Sequence, residues 1–152
     1  MNILFFLTPK KDVAFLYEDE TLLKAMEKME ANKYSCIPIL TTDGFYAGTI
    51  SEGDLLWTLQ HTTLKDLQET GGIPIASIAR RADYKPVHVD SDMEDLLDKA
   101  INQNFVPVLD DADGFIGIVT RKEIIKYCRG ELKRLKGPGS DGNQASETES
   151  IQ

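Results

Sequence analysis

Two hydroxyl residues, Ser51 and Thr120, occupy matching places in the chain. Each follows a glycine by three positions (Gly48, Gly117) and precedes a carboxylate by three (Asp54, Glu123). That pattern describes a strand turning into a helix. It supports two kinds of chemistry. In a capping box the hydroxyl accepts from an early helical N–H and the carboxylate returns to the cap's own N–H, which stabilises a helix by about 1 kcal/mol. Alternatively, the open N–H groups and the positive end of the helix dipole attract a phosphate. The hydroxyl then donates to the phosphate, and the carboxylate one turn in accepts from the two vicinal hydroxyls of a sugar. Duplication of the pattern and Arg121, next to Thr120, favour the second reading, because a guanidinium offers a fixed fork to phosphate oxygens. The small glycines allow another group to approach the backbone closely.

The pairing extends well beyond these residues. Ile37-Pro38-Ile39-Leu40 recurs as Val106-Pro107-Val108-Leu109, an Asp-Gly turn follows in each copy (Asp43-Gly44, Asp113-Gly114), and Pro38/Pro107, Gly48/Gly117 and Ser51/Thr120 share an offset of 69 positions. A period this long marks a duplicated half-domain, not a solenoid unit. Each half reads as strand, helix, strand, strand, helix. In repeat one a short extended segment spans about Val13 to Leu16. Leu22, Ala25, Met26 and Met29 then recur at helical spacing. In repeat two Val87 and Val89 suggest a strand, and Asp90-Ser91-Asp92 is a helix start. Met93, Leu96, Leu97, Ala100 and Ile101 supply the apolar stripe that follows. The expected fold is therefore α+β, two tandem repeats packed about a pseudo-two-fold axis with related crevices between them. One module spans 1–136: repeat one at about 8–60, repeat two at about 74–130, and a terminal helix to 136. A short helix is expected near Leu64 to Leu67. From Gly137 to Gln152 the composition is too polar to offset the entropy of ordering, and a disordered tail is expected.

Composition narrows the function. A chain of 152 residues with net charge −8 is suited to one soluble domain and lacks the basic excess of a general nucleic-acid binder. No apolar run reaches bilayer length, and a cytoplasmic protein is expected. Cys36 and Cys128 are far apart and read as reduced thiols in or near the core. His61 and His88 are isolated, so no metal site is expected. No nucleophile sits beside a base and no acid–base pair is evident, so the chain is expected not to be an enzyme. Lys122, Lys126, Arg129, Lys133 and Lys136 form a basic stripe on the last helix, opposite Ile124, Cys128, Leu132 and Leu135. That helix overhangs the repeat, which favours packing against a second chain.

Both apolar-x-Pro segments, Cys36-Ile37-Pro38 and Phe105-Val106-Pro107, together with the Gly48-to-Asp54 motif, resemble the cystathionine-β-synthase-type (CBS) domain pair, over residues 8 to 130. The resemblance implies a regulatory module that binds an adenine nucleotide (AMP, ATP, S-adenosylmethionine or cyclic di-AMP). Ser51 and Thr120 would then contact phosphate and Asp54 the ribose. Tyr34, Ser35, Cys36 and Ile37, with Phe105 and Val106, would flank adenine. Small stand-alone CBS-pair proteins of Gram-positive bacteria, some of which bind cyclic di-AMP, are similar at Tyr34 to Pro38, at Asn104 to Val106 and at Thr120-Arg121-Lys122. The resemblance also implies a homodimer that signals to an effector protein. Glu123 departs from the motif's Asp, and the Leu96-to-Pro107 stretch is two residues shorter than its Ala25-to-Pro38 counterpart. Inequivalent sites are expected, with Asp54 marking the better ribose site. The alternative is a structural or dimerisation module whose Ser51, Asp54, Thr120 and Glu123 are only caps.

Overall fold

The computed structural model describes residues 2–63, 72–81 and 83–137. The helix expected near Leu64 to Leu67 and the tail beyond Gly137 lie outside the described residues. Repeat one contains β2 (Leu16–Tyr17), α1 (Leu22–Asn32), β3 (Cys36–Leu40), β4 (Tyr46–Ser51) and α2 (Glu52–Gln60). Repeat two contains β5 (Val87–His88), α3 (Met93–Ala100), β6 (Phe105–Leu109), β7 (Phe115–Thr120) and α4 (Arg121–Lys136). The expected element order holds in both halves. The first strand of repeat one lies later than its apolar pattern suggests, because Val13 closes a 3-10 turn over Lys10–Asp12.

Local chemistry sets the helix ends. Thr21 caps α1, accepting from the Lys24 N–H at 3.3 Å, and Asp92 caps α3, accepting from the Asp95 N–H at 2.9 Å. α1 stops at Lys33, which takes a left-handed conformation with φ of 54°. The chain then turns and the Tyr34 N–H reaches back to the Met29 carbonyl at 3.0 Å. α3 has eight residues against eleven in α1, which accounts for the shorter spacing in repeat two.

The sheets follow an exchange that the repeat pattern does not reveal. One sheet has the order β2-β3-β4, the other β1-β7-β6-β5. β1 (Thr8–Pro9), at the start of repeat one, pairs antiparallel with β7 of repeat two. Ile3 and Phe6, in the 3-10 turn before it, are buried in the core of repeat two with Val106, Val108 and Val119. The reciprocal transfer is made by residues 73–78. Ile75 and Ile78 are buried in the core of repeat one with Leu16, Ile37 and Ile50. The Leu22 N–H bonds to the Ile73 carbonyl at 2.9 Å, and the Ile75 N–H to the Glu20 carbonyl at 2.8 Å. Each half is thus closed by a segment that precedes the other, which binds the two into one folding unit.

The halves meet through their own counterparts. Ser35 and Asn104, Phe45 and Gly114, and Tyr46 and Phe115 are each 69 positions apart, and each pair is in direct contact. Asn104 Nδ2 lies 3.5 Å from Ser35 Oγ, Phe45 bridges Gly114, and the Tyr46 and Phe115 rings stack with centroids 6.4 Å apart. Residues that touch their own symmetry mates lie on the symmetry axis. Around it, Leu40, Leu109, Phe105, Phe115 and Ile118 form a buried cluster shared by both repeats. At one end His88 Nε2 lies 2.6 Å from Asp113 Oδ1. This carboxylate hydrogen bond raises the pKa of the exposed imidazole.

The duplicated glycines have a direct use. A Cβ on Gly117 would collide with the Thr8 carbonyl, and its φ of 155° disfavours a side chain. Only glycine admits β1 alongside β7. Gly117→Ala should cost roughly 1–3 kcal/mol of stability through this overpacking. Urea unfolding of the variant checks the figure; an unchanged midpoint would mean that β1 is not held there.

Candidate functional site

β6, β7 and the first turns of α4 form one wall of a crevice between the repeats, and the turn from α1 into β3 forms the other. Its volume is about 960 Å3, near the top of the range for ligand pockets, roughly 300–1,000 Å3. The α1 side contributes Lys33, Tyr34, Ser35 and Cys36, and β6 contributes Phe105 preceded by Asn104. Thr120, Arg121, Lys122, Lys126 and Arg129 line the α4 side. Val13, Ala14, Pro38, Ile118 and Ile125 provide apolar surface.

Five of these lining residues are cationic and none is acidic, on a chain whose net charge is −8. A cationic recess on an anionic surface concentrates field lines and draws in anions. α4 adds its N-terminal dipole to the same space. Thr120 caps that helix, its Oγ accepting from the Glu123 N–H at 3.2 Å. Its hydroxyl proton is therefore available to an incoming acceptor. The Arg121 N–H is bound to the Asn104 carbonyl at 2.9 Å, which fixes the start of α4 against the start of β6.

Seven of the twelve sequence-derived site residues line the crevice: Tyr34, Ser35, Cys36, Phe105, Thr120, Arg121 and Lys122. Ile37 and Val106 are fully buried in the cores of repeats one and two and present no side chain to it. Arg121 does not hold an unengaged fork. Its Nε donates to the Ala100 carbonyl at 2.8 Å and its Nη2 to the Ile101 carbonyl at 3.3 Å, closing the C-terminus of α3. Lys33, Asn104, Lys126 and Arg129 belong to the crevice but were not singled out from the sequence as site residues. The helical spacing of Lys122, Lys126 and Arg129 is the signal that could have found two of them.

The carboxylates are arranged opposite to expectation. Ser51 and Asp54 lie outside the crevice and form a complete capping box on α2. The Ser51 N–H donates to Asp54 Oδ2 at 2.9 Å, and the Asp54 N–H to Ser51 Oγ at 3.1 Å. The second carboxylate oxygen accepts from the Arg81 N–H at 3.0 Å, and Asp54 is only 2% exposed. Glu123, which has the longer side chain suited to a box, is exposed and pairs with Lys126 at 3.5 Å. The capping account therefore describes Asp54, and the open crevice is the one beside Thr120.

Tyr84 marks the boundary of the crevice. The Asn104 N–H donates to its hydroxyl at 3.2 Å, and the Cys36 thiol lies 3.4 Å from the same oxygen. Burial raises the pKa of this phenol, with the Cys36 contact adding to the shift. Tyr46, whose pKa is raised by burial, donates to the Tyr84 carbonyl at 2.7 Å. Both phenols stay protonated at neutral pH. Cys36 is half-buried and Cys128 exposed, so the second thiol lies outside the core expected for it; neither forms a disulfide. Among the described residues no group of His, Cys, Asp and Glu could hold a metal ion. No helix among them is long and apolar enough to cross a membrane.

A strand–helix–strand–strand–helix unit built twice about a dyad, with a crevice between the copies, defines a class. The CBS domain profile matches residues 6–61 and again residues 75–130, and the chain belongs to the CBS domain family. No curated protein matches the sequence. Among solved structures, a CBS domain protein from Streptococcus pneumoniae is 27% identical, with a TM-score of 0.74 over 84% of this chain and 86% of that one. The protein CbpB in complex with c-di-AMP is 24% identical, with a TM-score of 0.77 over 90% and 89% of the two chains. CBSX2 in complex with AMP is 22% identical, with a TM-score of 0.66 over 88% and 98%.

Asp54→Ala should destabilise the fold by roughly 1–3 kcal/mol, because two backbone N–H groups near the buried carboxylate lose their acceptor. Glu123→Ala removes only an exposed pair and should shift stability by less than about 0.5 kcal/mol. Thermal melts of the two variants check the contrast, and equal losses would contradict it.

Proposed function

We propose that the protein is a non-catalytic regulatory module that binds an adenine nucleotide (AMP, ATP or cyclic di-AMP) in the crevice beside Thr120 and signals to a partner protein. The observation that carries this reading is the convergence of five cationic residues, a helix N-terminus and a donor hydroxyl on one open recess without acidic lining. Phosphate is the group that such a recess suits best. Tyr34, Ser35, Cys36 and Asn104 line the recess opposite the cations, with Phe105 and Ile118 as apolar surface on which an adenine ring could rest. The c-di-AMP and AMP complexes of CbpB and CBSX2 support the choice of adenine nucleotides.

Output passes through surfaces outside the crevice. Leu132 and Leu135 on α4 are 61% and 79% exposed, as the overhanging apolar stripe implies. A homodimer would cover such a face, and an effector protein would read its arrangement in a cytoplasmic setting. The complete box at Ser51 and Asp54 favours a second reading, a dimerisation module with degenerate sites.

Calorimetric titration separates the two. The nucleotide reading predicts heat with at least one of AMP, ATP and cyclic di-AMP. It also predicts a stabilisation of about 2.7 kcal/mol when ligand reaches 100 times its dissociation constant. Thr120→Val and Lys122→Ala should each weaken binding about ten-fold or more, by loss of a charge-assisted contact, while Thr120→Ser retains it. Absence of heat and of any melting shift with all three nucleotides would leave the dimerisation reading.

A further inference from the structure

The pseudo-symmetry requires a second crevice, centred on Ser51 where the first is centred on Thr120. In this chain that position is taken by the protein itself. The Arg81 guanidinium lies over the Trp57 ring, 4.2 Å from its centroid, and the Arg81 N–H is bound to Asp54. Asp83 Oδ1 accepts from the Thr49 N–H at 3.0 Å and from Arg80 Nε at 2.6 Å. Arg80 Nη2 also reaches the Ala47 carbonyl at 3.4 Å. The edge of β4 is thus satisfied by side chains where the matching edge of β7 is covered by β1. A Cβ on Gly48 would meet Asp83 and Arg80, so the glycine that admits a neighbour here admits these two residues.

The charges differ as well. The counterparts of Arg121, Lys122, Lys126 and Arg129 are Glu52, Gly53, Trp57 and Gln60. α2 therefore offers none of the cations that α4 brings to its crevice. The cation over Trp57 is Arg81, and Arg80 is paired with Asp83 beside β4.

We propose that Arg80, Arg81 and Asp83 are an internal occupant of the Ser51 crevice, so that the chain takes one ligand molecule, beside Thr120, and not two. The single-ligand clause rests on the nucleotide reading above; the occupancy clause does not. Trp57 is the one tryptophan in the chain and reports the filled crevice directly.

The test pairs calorimetric stoichiometry, using cyclic di-AMP and AMP, with acrylamide quenching of Trp57. One ligand per chain is expected, with no change in quenching at saturation. Arg81→Ala should raise the quenching constant without ligand and leave the affinity beside Thr120 unchanged. Two ligands per chain, or protection of Trp57 by nucleotide, would overturn the proposal. So would an Arg81→Ala variant that quenches like the parent, whether or not nucleotide binds. If no nucleotide binds and Arg81→Ala still uncovers Trp57, the nucleotide reading and its single-ligand clause fall, while the internal occupant stands.

Discussion

Contact between equivalent residues across the pseudo-dyad is the constraint on which the rest of the structure depends. Ser35 touches Asn104 and Tyr46 stacks on Phe115 because two hairpins of the same sequence pattern pack back to back. Once they do, the N-terminus of α4 shares a crevice with the turn from α1 into β3 of the other repeat. The interface is apolar and buried around Leu40, Leu109 and Phe115. Its burial stabilises the arrangement without any ligand, so the crevice exists before anything enters it, and a preorganised recess loses less entropy on binding.

Symmetry of backbone does not carry symmetry of chemistry. Both crevices inherit a glycine, a capping hydroxyl and a carboxylate, yet one is lined by cations and open while the other is closed by an Arg–Asp pair and an arginine over tryptophan. The exchange of leading segments contributes to this difference. Residues 3–9 bury Ile3 and Phe6 in repeat two and add a strand to its sheet. Residues 73–78 reach repeat one as a buried apolar segment, and the residues after them supply Arg80 and Asp83 as side chains. A duplicated fold can specialise its halves through such connectors while both cores remain intact.

The sequence makes the repeat, the element order, both helix caps and seven of the sixteen crevice-lining residues legible, because these depend on short-range pattern: period, capping chemistry and a fixed offset. Asp54 could not be placed correctly from the motif. A carboxylate three residues after a hydroxyl serves a cap or a ribose equally well, and only the Arg81 N–H, distant in sequence, decides that its second oxygen is taken. Likewise, nothing local predicts that Thr8 and Pro9 would join the sheet of the far repeat. The divergence of Glu52, Gly53, Trp57 and Gln60 from Arg121, Lys122, Lys126 and Arg129 was present at the same offset. Aligning the helices that follow the caps, and not the caps alone, would have shown which half carries the cations.

Backbone amide shifts on titrating the protein with cyclic di-AMP, followed by NMR, test the central claim most directly. The account requires the resonances of Tyr34 to Cys36, Asn104 and Thr120 to Lys122 to move together with saturation, while those of Ser51 to Asp54 stay in place. Movement centred on Ser51 and Asp54, with Thr120 unaffected, would contradict it.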